Sequence, residues 1–373
     1  MELLLHLQCN FKREFMMTDA PALMAIHPGS ILKEELVERG ISQKDFAKMI
    51  SMQPSHLSEI IKGKRSVSKP VADKLQEVLG IPSIDWVNLQ IVFDYKTQQN
   101  IQRCIEETAA YNLLKEYSKY FDVKTLSSRL GFNNASCSEI LQFIIQTFKL
   151  PAPEQLQMQS QGLFKKSAKV GKDPVKIMTW LLLAKHFAYS KELNSVYNDA
   201  CMDELIPKIT SILHENKDTM HRLETTFAEY GIIFGVVPKV QGASIDGYSL
   251  EHCGKPCIIV TKRYDRIDHL AFAVMHELGH IKNHDYDDFN VGIDDYDHES
   301  SREKAANRFA ETSLIPDSEW KTIPKVSLSA NVIQKTCSKW AESHGFNKWI
   351  ALGRLASQTG MFRFTTDSSR NIS

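Results

Sequence analysis

Residues 271–288 read AFAVMHELGHIKNHDYDD. The longer stretch RIDHLAFAVMHELGHIKNH predicts a helix, with Leu270, Ala273 and Ile281 packed inward. Residues four apart share a helical face, so His276 and His280 point the same way, as two metal ligands must. Glu277 lies beside them, placed to take a proton from an attacking water. Burying such a polar cluster without partners is costly, and a metal would satisfy it. The plainer alternative is two histidines on an ordinary helix. A third ligand separates the two readings.

Glu303 follows His280 by 23 positions, in SSREKAANRFAETSLIP. That stretch predicts a second helix, capped by Ser300 or Ser301. Glu303 and Asn307 are four apart on one face, so Asn307 can hold a ligand histidine by its far nitrogen. Two histidines and one carboxylate leave a fourth position open, which is a hydrolytic zinc arrangement rather than a closed structural one. Upstream, GIIFGVVPKV, SIDGYSL and PCIIVTKRY are short, β-branched and bounded by Gly or Pro, as strands of a small sheet are. The C-terminal part is therefore expected to be an α+β domain.

Neighbouring polar residues receive plainer readings. His284 and His298 are expected at the surface. Asp285 to Glu299 is an acidic run, read as solvated. Asp285, Asp287 and Asp288 lack the glycine and closing glutamate of a calcium loop. His344, Tyr248 and Arg354 could steady an oxyanion, but none has a spacing argument.

The chain has 373 residues, 43% hydrophobic and 24% charged, enough for two or three domains. Lys+Arg 45 against Asp+Glu 45 gives no global field for nucleic acid or membrane. Any DNA site must rest on a local patch. Seven cysteines are scattered, and only Cys253 and Cys257 are close, so no four-sulfur zinc site can form. A reducing cytoplasm is expected. No segment reaches the roughly 20 apolar residues that span a bilayer. Met16 and Met17 offer alternative starts, and residues 1–23 are expected to be a disordered tail.

HPGSILKEELVERGISQKDFAKMISMQPSHLSEIIKGKRSVSKPVADKLQEVLG, beginning at His27, reads as short helices. Ile31, Leu32, Leu36 and Val37 form one apolar face. Ser42 caps a second helix with Phe46, Ala47 and Ile50 inward. A third runs from Pro54 to Ile61, with Leu57, Ile60 and Ile61 buried and Gly63 as its stop. Two short helices and a tight turn make a helix-turn-helix. Gln53, Ser55, His56 and Glu59 then face outward, able to meet base edges. Lys62, Lys64, Arg65 and Lys69 supply the local positive charge, which gives affinity more than sequence choice. A small helical bundle that binds protein is the alternative. Residues 96–215 read as a helical connector, with SEILQFIIQTFKL and VKIMTWLLLAKHFAYSKEL periodic and no ligand cluster.

His27 to Tyr95 resembles the Xre-type helix-turn-helix, and more narrowly the HigA antitoxins, through HPGSILKEEL, SQKDFAKMI, LSEIIKGKRSVS and LGIPSIDWVNLQIVFDY. Ser51 departs from it, standing where that family has a turn glycine. The resemblance aligns Gln43 with a backbone-contacting glutamine, and Ser55 and Glu59 with base-reading positions. HELGHIKNH followed by EKAANRFAETSLIP resembles the ImmA/IrrE metallopeptidases over roughly Leu223 to Met361. GRLASQTGM resembles their closing segment. That likeness implies His276, His280 and Glu303 as zinc ligands and Glu277 as general base.

The expected protein is multidomain and mainly α. It has a DNA-binding domain at 24–95, a connector at 96–215, and a zincin-like α+β peptidase domain at 216–373. The expected function is a cytoplasmic, homodimeric, zinc-dependent regulator that binds operator DNA and cleaves a regulatory protein. The alternative is a non-enzymatic antitoxin or repressor whose zinc domain senses a signal or binds a partner such as a cognate toxin.

Overall fold

A computed structural model describes residues 24–157, 173–262, 264–285, 301–324, 329–361 and 364–373. The tail expected at 1–23, the acidic run beyond Asp285, His298 and the Ser300 cap lie outside these. The chain is mainly helical and divides into two compact units. One comprises residues up to Leu114 with Asn133–Leu141. The other comprises Lys115–Phe132 and Gln142–Ser373.

In the first unit, α1 (Pro28–Glu38), α2 (Gln43–Met49), α3 (Pro54–Ile61) and α4 (Lys69–Leu79) precede the long α5 (Ser83–Tyr117), whose residues from Lys115 on belong to the second unit. Leu32, Leu36, Phe46, Leu57, Ile60, Leu75 and Trp86 form its core. Local chemistry sets the helix ends. The Ser42 hydroxyl accepts the Asp45 N–H at 3.2 Å, Pro54 opens α3, and Gly63 follows it with φ 69°. Ser51, between α2 and α3, takes φ 49°, the left-handed turn for which glycine is the usual choice. One apolar residue departs from the expected face. Val37 is 72% exposed, while Leu32 and Leu36 are buried and Ile31 packs partly against the same core.

The second unit contains α6 (Val123–Arg129), α8 (Pro174–Tyr189), α9 (Met202–Glu215) and α10 (Thr219–Glu229) before the sheet. The helix α7 (Cys137–Phe148) runs across a boundary between the units. Strands β1 (Ile233–Val236), β2 (Gly247–His252) and β3 (Lys255–Val260) lie in the order β1-β3-β2. β1 is parallel to β3, with Ile233 opposite Cys257. β2 is antiparallel to β3, with Gly247 opposite Val260. Then come α11 (Ile267–Lys282), α12 (Ser301–Leu314), α13 (Ala330–Ser343) and α14 (Lys348–Thr359).

α8 packs on all three strands rather than serving only as a connector. Its residues Ile177 to Lys185 are all buried, as a helix apolar on every side requires. Trp180 Nε1 donates to the Val237 carbonyl at 3.2 Å. Arg129 on α6 donates to the carbonyls of Pro238 and Lys239 at 2.8 and 2.7 Å. α11 packs on β2 and β3 and on α12 and α14. Its buried Leu270, Val274, Leu278 and Ile281 join the core. No helix among the described residues is long and apolar enough to cross a membrane.

Candidate metal centre

The crossing of α11 and α12 positions the site. Gly279 lets the two helices approach, since a Cβ there would stand 3.2 Å from Ala306 Cα and 3.0 Å from the Phe309 ring. Glu303, one turn before Asn307, is thereby brought to the two histidines. His276 Nε2 lies 3.1 Å from His280 Nε2. Glu303 Oε2 is 3.3 Å from His276 Nε2, and Glu303 Oε1 is 3.6 Å from His280 Nε2. Around a tetrahedral zinc at about 2.0–2.1 Å, neighbouring donor atoms stand roughly 3.3–3.5 Å apart. The observed spacing fits that size.

The donor chemistry fits too. His276 Nδ1 meets Asn307 Oδ1 at 2.8 Å, and His280 Nδ1 meets Asp285 Oδ1 at 2.7 Å. Both oxygens accept, so each Nδ1 donates. In the neutral rings both Nε2 atoms then carry lone pairs, directed at each other and at a carboxylate. A divalent cation turns that repulsion into coordination. Among the described residues this is the one His/Cys/Asp/Glu cluster with metal-holding spacing.

Glu277 is buried beside the histidines. A Cβ on Gly247 would stand 2.6 Å from Glu277 Oε1, so β2 passes close over the carboxylate. Burial pushes the Glu277 carboxyl above the ordinary carboxylate range. His276, His280 and a hydrogen bond from Ser249 pull it back down, while Glu303 adds to the rise. A carboxylate of raised basicity suits a proton acceptor.

Sequence reasoning misses three of these residues. Asp285 reads as part of a solvated acidic run, yet it holds His280. Gly247 and Ser249 give no spacing signal, because strand register brings them to Glu277. The oxyanion candidates do not gather. Arg354 is buried, donating to the carbonyls of Glu311 and Ile315 at 3.1 and 2.6 Å and to Asp317 at 2.8 Å. It fastens the end of α12. His344 Nδ1 lies 2.8 Å from the Trp340 carbonyl, at the end of α13. Tyr248 is buried in β2. His284 lies at the surface, 3.4 Å from Asp199.

In the other unit, Gln43, Gln53 and Ser55 are exposed, and His56 and Glu59 are partly so. Lys62, Lys64 and Arg65 are exposed beyond α3. Glu59 accepts from Arg65 Nε at 2.8 Å, so one expected base-reading residue is tied to one expected phosphate contact.

A helix-turn-helix family profile matches residues 32–86, and an IrrE N-terminal-like domain profile matches residues 236–345. Virulence-associated protein I of Dichelobacter nodosus is 33% identical over 82 residues, covering 22% of this chain and 76% of that protein. The uncharacterized HTH-type transcriptional regulator YddM of Escherichia coli K12 is 38% identical over 69 residues, covering 18% and 73%. A solved addiction module antidote protein of a HigA family from Coxiella burnetii is 33% identical, covers 20% of this chain and 83% of its own, and has a TM-score of 0.20.

Proposed function

We propose, for a chain that belongs to the Xre-type helix-turn-helix proteins in its N-terminal part and carries an IrrE N-terminal-like domain after it, a DNA-binding regulator whose second domain is a zinc-dependent peptidase. Its target is a regulatory protein. The observation that carries this reading is the facing donor set of His276, His280 and Glu303, with ligand atoms within 4.8 Å of one another, beside the buried Glu277.

His276, His280 and Glu303 would hold the metal. When bound, zinc supplies Lewis acidity toward a scissile carbonyl and acidifies a water. Asn307 and Asp285 fix which ring nitrogen of each histidine faces the centre. Glu277 takes the proton of the attacking water on its carboxylate and returns it to the leaving nitrogen. Ser249 and the close pass of β2 keep that carboxylate in place.

In the N-terminal domain, α3 enters the major groove of an operator. Gln53, Ser55, His56 and Glu59 meet base edges, while Gln43, Lys62, Lys64 and Arg65 meet phosphates. A homodimer would read two half-sites about one helical turn apart.

Elemental analysis of protein purified without chelators tests the centre. About one zinc per chain is expected, with much weaker retention in Glu303→Ala. A metal-free wild type would overturn the reading.

A further inference from the structure

We infer that Asp285 and Arg302 form a latch that positions His280 for the metal. This rests on the zinc reading above and extends it to two residues outside the ligand set. The two ligand histidines are held differently. Asn307, a neutral amide on α12 itself, receives His276 Nδ1. Asp285, an anion just past the end of α11, receives His280 Nδ1 at 2.7 Å. Only 14% of the Asp285 side chain is exposed, and 10% of that of His280, so little water competes with this bond.

Asp285 is itself held. The Arg302 guanidinium donates to the Asp285 backbone carbonyl. Arg302 Nε also stands 3.7 Å from the Asp285 carboxylate. Arg302 is the residue before the ligand Glu303, in the first turn of α12. The Asp285 N–H donates in turn to the His280 carbonyl at 3.1 Å, closing the loop back onto α11. One chain of contacts therefore runs from His280 through Asp285 and Arg302 to the helix that bears the third ligand.

The physical consequence follows from orientation and charge. An imidazole free to rotate must be ordered when it coordinates. Here the carboxylate fixes the ring with its Nε2 lone pair toward the centre, and its negative charge strengthens that nitrogen as a donor. Arg302 keeps the carboxylate turned toward His280. Asp285 is thus a positioning residue, acting on the metal only through His280.

The test is a competition titration of the full chain with zinc against a chelating dye, alongside the visible spectrum of the cobalt(II)-loaded protein. Asp285→Ala should weaken zinc by about 10–100-fold and alter the cobalt spectrum. Asp285→Asn keeps an acceptor oxygen for Nδ1 but not the charge, and should recover the part of that loss that comes from ring orientation. Arg302→Ala should fall between wild type and Asp285→Ala. Far-ultraviolet circular dichroism checks that each variant folds, and Asp285→Asn serves should Asp285→Ala fail. Wild-type zinc affinity and an unchanged cobalt spectrum in Asp285→Ala, or equal losses in Asp285→Ala and Asp285→Asn, would overturn the latch. A wild type that binds no zinc would instead overturn the metal reading beneath it.

Discussion

Gly247 lies so close over Glu277 that any Cβ there would meet the carboxylate, 2.6 Å from Oε1 and 2.8 Å from Cγ. The requirement is for space rather than for an unusual backbone angle. Gly247→Ala must push Glu277 aside or lift β2 from α11. Overpacking of this kind costs about 1–3 kcal/mol. The three atoms nearest the new methyl all belong to Glu277 rather than to His276, His280 or Glu303. The expected outcome is a lowered melting temperature and impaired proteolysis, with zinc content unchanged. A variant with wild-type melting and wild-type turnover would show that Glu277 works from some other position.

The α11–α12 contact makes a second, opposite prediction. Gly279 and the buried Ala306 set how near the two helices come. Ala306→Leu should wedge them apart, costing about 1–3 kcal/mol. It should also separate Glu303 from the histidines and weaken zinc retention. Ala305→Leu, on the exposed side of the same helix, is the control and should do neither. Equal zinc affinity in the two variants would mean that the helix spacing does not govern the centre.

Much of this is legible in the sequence because it is local. His276 and His280 share a face by spacing alone. Ser42, Pro54 and Gly63 announce helix ends through their own chemistry. What is not legible depends on partners far along the chain. Asp285 looks like one carboxylate in a solvated run, and only the fold brings it against Arg302. Ser249 reaches Glu277 through strand register, which apolar alternation does not number. The buried run Ile177 to Lys185 on α8 signals a core helix, but periodicity names no destination. That the helix covers the sheet emerges from the three strands it touches.

His214 gives the second unit a pH dependence. Its Nδ1 accepts the Asn347 N–H at 3.0 Å, and its Nε2 faces the Leu314 carbonyl at 2.7 Å. The neutral ring protonated at Nε2 satisfies both. Burial holds the pKa below the ordinary histidine value, although the Leu314 carbonyl pulls it up somewhat. The folded state thus binds this proton less readily than the unfolded chain does. Its stabilising share is full above the unfolded value of about 6.5 and is lost as pH falls below it toward the folded pKa. His214→Gln offers an acceptor and a donor but cannot titrate. Urea midpoints measured from about pH 7.5 down to about pH 5 should fall for wild type and fall less for the variant. Parallel curves would exclude His214 as a source of the slope.

For DNA, affinity and sequence choice should separate. Lys64→Ala with Arg65→Ala should weaken specific and random DNA alike and reduce the salt slope by about 2. Ser55→Ala with Glu59→Ala should relax sequence choice. The Glu59–Arg65 ion pair links the two sets, because removing either residue releases the other. The pairs are therefore compared on both DNA types by titration at several salt concentrations. Identical behaviour of the two pairs would remove α3 from the recognition role.

Glu277 separates a peptidase from a sensor. It is not among the three residues that could hold a metal ion, and burial raises the pKa of its carboxyl. Glu277→Gln keeps the size and most hydrogen bonding, and it removes a charge whose burial is unfavourable. Zinc content and DNA binding should therefore be unchanged, with melting at or above that of wild type. Proteolysis alone should fall, by about 10²–10⁴-fold, as expected for loss of a general base. The half-life of candidate regulators in cells carrying wild type or Glu277→Gln reads this wherever the cleavage site lies. If every candidate regulator is equally stable in both strains, in growth and under stress, the IrrE N-terminal-like domain does not cleave, and sensing or partner binding takes its place.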